Sequence, residues 1–175
     1  MAVRKSLAAI VLGTVLTGCG FAPLYGTHGA GSSPRVVEVF SKIAIHPLPD
    51  RDGIKLRQTL REQLQPQGLA GTPLYDLDVK LTRQVQELGI RKDATASRAN
   101  LILTAVFTLT EKGSALYSDR VTSIIGYNIL DDQYATVATQ ADAENRAIRE
   151  ISETIKTRLA VYFERKAKPA VAAAP

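Results

Sequence analysis

The sequence predicts an α+β fold: a two-layer sandwich in which two helices cover one face of a four-stranded, mainly antiparallel sheet, in the order β-α-β-β-β-α. Three observations lead there. Four stretches carry apolar residues at every second position, the period of a strand with one buried face. Two others carry them three and four apart, the period of a helix with one apolar stripe. Proline and glycine clusters separate the stretches. Elements with a single apolar face must bury it against one another, and the economical arrangement lays both helices on one side of the sheet.

The first strand is read in "VVEVFSKIAIHPLPD", where Val37, Val39, Ile43 and Ile45 alternate with polar residues and Pro47 and Pro49 end the run. Asp50 or Asp52 then caps a helix over "GIKLRQTLREQLQP", with Leu56, Leu60 and Leu64 on one face and Pro66 and Gly68 stopping it. In "LYDLDVKLTRQVQELGI", Tyr75, Leu77, Val79 and Leu81 face one side and Asp76, Asp78, Lys80 and Thr82 the other. "RKDATAS" makes a turn. Leu101, Leu103, Ala105, Phe107 and Leu109 line the next strand, and Glu111-Lys112-Gly113 turns into the last one. There Tyr117, Val121 and Ile125 share a face with Asp119 and Ser123, so the alternation is weaker. From about Tyr134 the period becomes helical: Ile148, Ile151, Ile155, Leu159 and Tyr162 are spaced 3, 4, 4 and 3 apart. A helix of ~30 residues would be ~45 Å long.

The chain has 175 residues, 45% of them hydrophobic and 22% charged, which suits one globular domain. Aromatics are few and tryptophan is absent, so the core should be mainly Leu, Ile, Val and Ala. A single cysteine excludes an internal disulfide, and no Cys/His cluster exists for a metal. The two histidines, His28 and His46, lie far apart; His46 reads as a half-exposed residue before a turn. No nucleophile elbow, phosphate loop or metalloprotease motif occurs. Asp131 and Asp132 read as a loop before a helix, and Asp76, Asp78 and Asp119 as solvated carboxylates. No catalytic residue and no cofactor is expected. The net charge is +5, without the aromatic–basic interleaving of a nucleic-acid binder. Arg83, Arg91, Lys92 and Arg98 flank the central hairpin. A basic cluster at one end of a sheet suits the phosphates of an anionic lipid, and Arg91, Lys92 and Arg98 are the candidate binding residues.

The chain begins with Arg4 and Lys5, followed by "SLAAIVLGTVLTG". A basic start before roughly 12 apolar residues has the form of an export signal, too short to span ~30 Å of hydrocarbon. Leu16-Thr17-Gly18-Cys19 resembles the bacterial lipobox. That resemblance implies cleavage before Cys19, S-diacylglycerol on its thiol and N-palmitoyl on its amine, a covalent lipid anchor rather than a cofactor. Several acyl chains on one residue give stable anchoring, since each buried methylene adds ~0.8 kcal/mol. The organisation is then a lipoprotein signal over 1–18, a lipidated flexible tether over 19–35, the sandwich over 36–166 and a disordered tail over 167–175. Phe21, Leu24 and Tyr25 are unusual in a tether.

"LTGCGFAPLYG" resembles the start of the lipopolysaccharide-assembly lipoproteins of LptE type, through Cys19, Gly20, Phe21, Pro23, Leu24 and Tyr25. "IAIHPLPDRDGIKLRQTLREQL", "YNILDDQYAT" and "LAVYFERK" are similar to the α-proteobacterial form of that family. The resemblance implies an outer-membrane lipoprotein on the periplasmic side. It would plug and help assemble the β-barrel lipopolysaccharide translocon (an LptD-type partner) and contact lipopolysaccharide; Gly20 after the cysteine agrees with outer-membrane sorting. The alternative is a stand-alone periplasm-facing scaffold or an enzyme acting on cell-wall material, which would need convergent carboxylates such as Asp131 and Asp132.

Overall fold

The computed structural model describes residues 34–90 and 96–167. The export signal, Cys19, the tether with Phe21, Leu24 and Tyr25, the turn carrying Arg91 and Lys92, and residues 168–175 lie outside the described residues.

The first element corrects the sequence reading. Where one strand is expected, the chain forms a helix, α1 (Pro34–Phe40), and only then a three-residue strand, β1 (Ile43–Ile45). The β-branched valines argue for a strand, but Val36 and Phe40, one helical turn apart, are each only 2% exposed while Val37 between them faces solvent. Burial at a spacing of four outweighs the alternation, and Pro34 suits a first helical turn because its missing N–H has no partner there anyway. A Glu38–Lys42 ion pair of 2.8 Å crosses the end of the turn.

After β1 comes α2 (Arg51–Leu64), which returns the chain to a parallel neighbour, β2 (Tyr75–Ile90). Asp50 takes the capping position with extended backbone, yet its side chain makes no capping bond. Gly53 permits the close approach of the preceding loop, since a Cβ there would meet Leu48 Cβ at 2.5 Å. β2, β3 (Ala96–Glu111) and β4 (Ser114–Asn128) form an antiparallel meander, giving the order β1-β2-β3-β4. Lys112 and Gly113 both take positive φ in the β3–β4 turn, as a tight primed hairpin turn requires. The chain ends in α3 (Gln133–Ala167), 35 residues long and capped by Asp132, whose carboxylate accepts the Tyr134 N–H at 2.8 Å.

The expected α+β sandwich holds, with a mixed, mostly antiparallel sheet and, among the described residues, three helices rather than two. Leu77, Leu101, Leu103, Ala105, Phe107 and Leu109 form the inner sheet face, met by Leu56, Leu60 and Leu64 from α2 and by Ala147, Ile151, Ile155 and Leu159 from α3. Each buried aliphatic side chain contributes about 1.5–3 kcal/mol. Tyr162, expected in the core stripe, instead stacks on Tyr117 at 5.1 Å, and Phe163 takes the core position, edge-on to Phe40, Tyr75 and Tyr162. Among the described residues the opposite sheet face carries no helix. It is hydroxyl-rich, with Thr104–Thr122 and Thr108–Ser118 bonds of 3.1 Å linking β3 to β4.

Candidate functional site

Three polar side chains on the helix-covered face of the sheet, those of Arg83, Asp119 and Ser123, meet partners on the helices. Arg83 Nη1 donates to Glu144 Oε1 at 2.7 Å and to Asp52 Oδ2 at 3.1 Å, while Lys55 Nζ lies 3.6 Å from Glu144. Burial pushes the Glu144 carboxyl up, but the Arg83 hydrogen bond and charge, with Lys55 and Arg51, outweigh it and leave it below the usual range. Asp119 accepts from Tyr117 Oη at 2.8 Å, from the Arg120 amide and from Arg158 of α3; these bonds hold its pKa down. Ser123 Oγ donates to Glu150 at 2.7 Å. The weak alternation of β4 thus has a cause: its two polar inward residues pair with α3. Arg83, grouped by sequence with the basic end of the hairpin, belongs instead to a part-buried network joining α2, β2 and α3. Asp119, read as a solvated carboxylate, is a structural acceptor.

His46 follows β1 on the open side of the sheet. Its Nδ1 lies 2.8 Å from Asp78 Oδ1 and its Nε2 3.2 Å from Asp76 Oδ1. Partial burial pulls its pKa down, but the hydrogen bonds and charges of Asp76 and Asp78 prevail and raise it. When protonated, the imidazole engages both N–H groups and has no lone pair with which to take a proton, so in that form the cluster acts as a clamp between β1 and β2. Among the described residues no group of His, Cys, Asp and Glu is placed to hold a metal ion, and no helix is long and apolar enough to cross a membrane.

Of the basic residues nominated from the sequence, Arg98 is described. It is exposed near the start of β3, in register with Leu88 of β2 and Asn128 of β4. It lines a 470 Å³ cleft with Tyr127 and Asn128 of β4 and with Thr139, Asp142 and Arg146 of α3. Arg146 is held by Asp142 at 2.8 Å, one turn away on the same helix. The same end of α3 exposes Tyr134 and Val137, and the loop before it exposes Leu130. A guanidinium beside exposed apolar side chains can receive an anionic head group and part of an apolar chain. Arg146, some fifty positions from Arg98 in the chain, was not legible as a neighbour; α3 brings it there. A second, larger cleft of 720 Å³ runs along α2, lined by Pro47, Ile54, Arg57, Arg61 and Gln65 among others. Arg57 Nε is fixed on the Ile45 carbonyl at 3.1 Å. Neither Arg57 nor Arg61 was singled out from the sequence; their spacing of four was the available signal.

Comparison with known proteins then decides the family. The model of the LptE family, described as lipopolysaccharide-assembly, matches residues 40–159, well over half of the chain. The chain belongs to the LptE family. It is therefore a member of a lipopolysaccharide-assembly family of envelope lipoproteins that is not enzymatic. A crystal structure of a lipoprotein from Caulobacter crescentus CB15 is similar at a TM-score of 0.64 and 28% identity, over 78% of this chain and 99% of that one. The minor lipoprotein of Acinetobacter baumannii is similar at 0.57 and 18% identity, over 74% of this chain and 98% of that one, a likeness of fold alone. No curated protein matches the chain. The LptE match begins at Phe40, the buried end of α1, and ends at Leu159, a fully buried residue of α3, so it covers nearly the whole sandwich.

Proposed function

We propose that this LptE-family protein is an outer-membrane lipoprotein, anchored on the periplasmic side through lipids on Cys19, that plugs and helps assemble a β-barrel lipopolysaccharide translocon of LptD type. In this reading residues 1–18 are the cleaved signal, 19–35 the lipidated tether, 36–166 the functional body and 167–175 a free tail. The observation that carries the reading is the family match across the sandwich. Two features support it. The helix-free sheet face, with Lys80, Thr82, Thr104, Thr108, Arg120 and Thr122, suits the polar interior of a large barrel. The cleft of Arg98 and Arg146 offers guanidinium groups to lipopolysaccharide phosphates.

The test is extraction of the intact protein in mild detergent: a large β-barrel protein should co-purify, and recovery of the lipoprotein alone would overturn the plug reading. Mass spectrometry should find acyl mass on Cys19, and Cys19→Ser should leave an uncleaved precursor. Combined charge reversal at Arg91, Lys92 and Arg98 should weaken lipopolysaccharide binding at physiological salt; unchanged binding would remove these residues from the site. The stand-alone enzyme has no observation in its favour, since Asp132 is engaged as the helix cap.

A further inference from the structure

We propose that Thr136 and Thr139 are positioning residues of the cleft between Arg98 and Arg146. Their hydroxyls tie the α3 wall, which carries Arg146, to the strand wall, which carries Arg98, and so fix the spacing of the two guanidinium groups. The inference rests on the reading of that cleft as a lipopolysaccharide site and not on the translocon plug. It starts from an unsupported stretch of helix. Residues 133–142 of α3 include none that is buried, and Ala143 is the first buried residue of the helix. Tyr134 and Val137 face solvent there, as does Leu130 in the loop before. Full burial of apolar side chains, which holds the rest of α3, is missing here. Yet Thr139 and Asp142 line one wall of the cleft, opposite Asn128 and Arg98 on the other.

Hydrogen bonds take the place of burial. Thr139 Oγ1 lies 2.9 Å from the Asn128 carbonyl, a bond that crosses from α3 to the last residue of β4. The same hydroxyl reaches the Thr136 carbonyl at 2.9 Å, so its proton is shared between the strand and its own helix. Thr136 Oγ1 accepts the Leu130 N–H at 2.8 Å and turns its proton toward the Leu130 carbonyl at 3.0 Å or that of Asp132 at 3.2 Å. The loop is also tied at its other end, where the Ile129 N–H donates to the Ser97 carbonyl at 3.1 Å, immediately before Arg98. These bonds make one frame of the start of β3, the end of β4 and the start of α3. A threonine within a helix ordinarily turns its hydroxyl back on the preceding turn. Thr154 and Thr157 of the same helix do so, donating to the carbonyls of Glu150 and Glu153. Thr136 and Thr139 differ in reaching out of the helix, to Leu130 and Asn128. Two cations that meet one anionic head group gain from a fixed separation, because a loose wall must be ordered at the moment of binding.

The test uses the full chain and purified lipopolysaccharide at physiological salt. Thr136→Val combined with Thr139→Val keeps the branched shape of both side chains and removes both hydroxyls. It should weaken binding about five-fold, the effect of losing two ordering hydrogen bonds. Amide hydrogen exchange over residues 130–139 should quicken about ten-fold, while that of Ile151 and Ile155 in the core stays as in wild type. Thr136→Ser combined with Thr139→Ser returns the hydroxyls and should restore both affinity and protection. Thr154→Val combined with Thr157→Val should leave binding unchanged, since those hydroxyls serve only their own helix. Arg98→Glu checks the reading beneath the proposal: if it leaves binding unchanged, the cleft is not the site and the positioning role falls with it. If Arg98→Glu weakens binding while the valine pair at 136 and 139 binds as wild type, the cleft reading stands and the positioning role alone is overturned. An affinity loss that the serine pair does not recover, or an equal loss from the pair at 154 and 157, would overturn it as well.

Discussion

Arg83 is the residue whose removal should be most instructive. Its side chain is 32% exposed and its guanidinium is shared between two carboxylates, of which the Glu144 side chain is only 8% exposed. Breaking a fully buried ion pair by removing one partner costs about 3–5 kcal/mol, because the remaining charge is left without compensation. Here Lys55 stays 3.6 Å from Glu144 and the Arg83 side of the pair reaches solvent, so Arg83→Met should cost less, about 2 kcal/mol. Urea unfolding at pH 7 reads this as a lowered midpoint with an unchanged slope. Adding Glu144→Leu should restore at least half of the loss, since it removes the charge that Arg83 neutralises. The pH dependence has a definite sign. Glu144 is lowered in the folded state, so its contribution is present above the unfolded value near 4.5 and is lost as pH falls through the folded value. The gap between wild type and Arg83→Met should therefore narrow below about pH 4.5. A gap that stays constant from pH 7 to pH 3, or a cost below about 0.5 kcal/mol, would refute the assignment of Arg83 to a coupled, part-buried network.

Three further outcomes are expected. Gly53→Ala should destabilise by about 1–3 kcal/mol in the same unfolding assay, although alanine is the better helix former, because its Cβ would stand 2.5 Å from Leu48 Cβ; a gain in stability would mean that the loop yields freely. The stability that His46 adds should be present below the unfolded value near 6.5 and fade as pH rises through the raised folded value, so His46→Gln should approach wild type at alkaline pH; half-exposure limits the effect to under about 1 kcal/mol, and a gap that widens with pH would contradict the clamp. Ile155→Ala should cost about 2–5 kcal/mol, since Ile155 is fully buried between α3 and the sheet; a loss under about 1 kcal/mol would mean that the core collapses around the cavity.

Much of the fold was legible in the sequence because most of its elements bury one face. A strand with alternate residues buried, such as β3, or a helix with a leucine at every fourth position, such as α2, writes its period into the chain. The reading failed at residues 36–40, where a β-branched run suggests a strand but two side chains one turn apart find the core. It was incomplete on β4, where Asp119 and Ser123 blur the period because they answer to Arg158 and Glu150, each more than twenty positions away. The candidate site was partly legible: Arg98 could be nominated from local charge, but its company of Arg146 and Tyr127 could not.

By itself, the sequence determined the class of fold, the chain order of its main strands and helices, and the absence of a recognisable catalytic motif, because these follow from local chemistry: period, punctuation and residue type. Only the tertiary structure decided which polar groups face inward and with whom they pair, that Arg83 serves the core while Arg98 faces a cleft, and that Thr136 and Thr139 bond out of their helix to Leu130 and Asn128. Those are relations between distant segments. Their energies depend on separation and on exclusion of water, and neither quantity exists until the chain has folded.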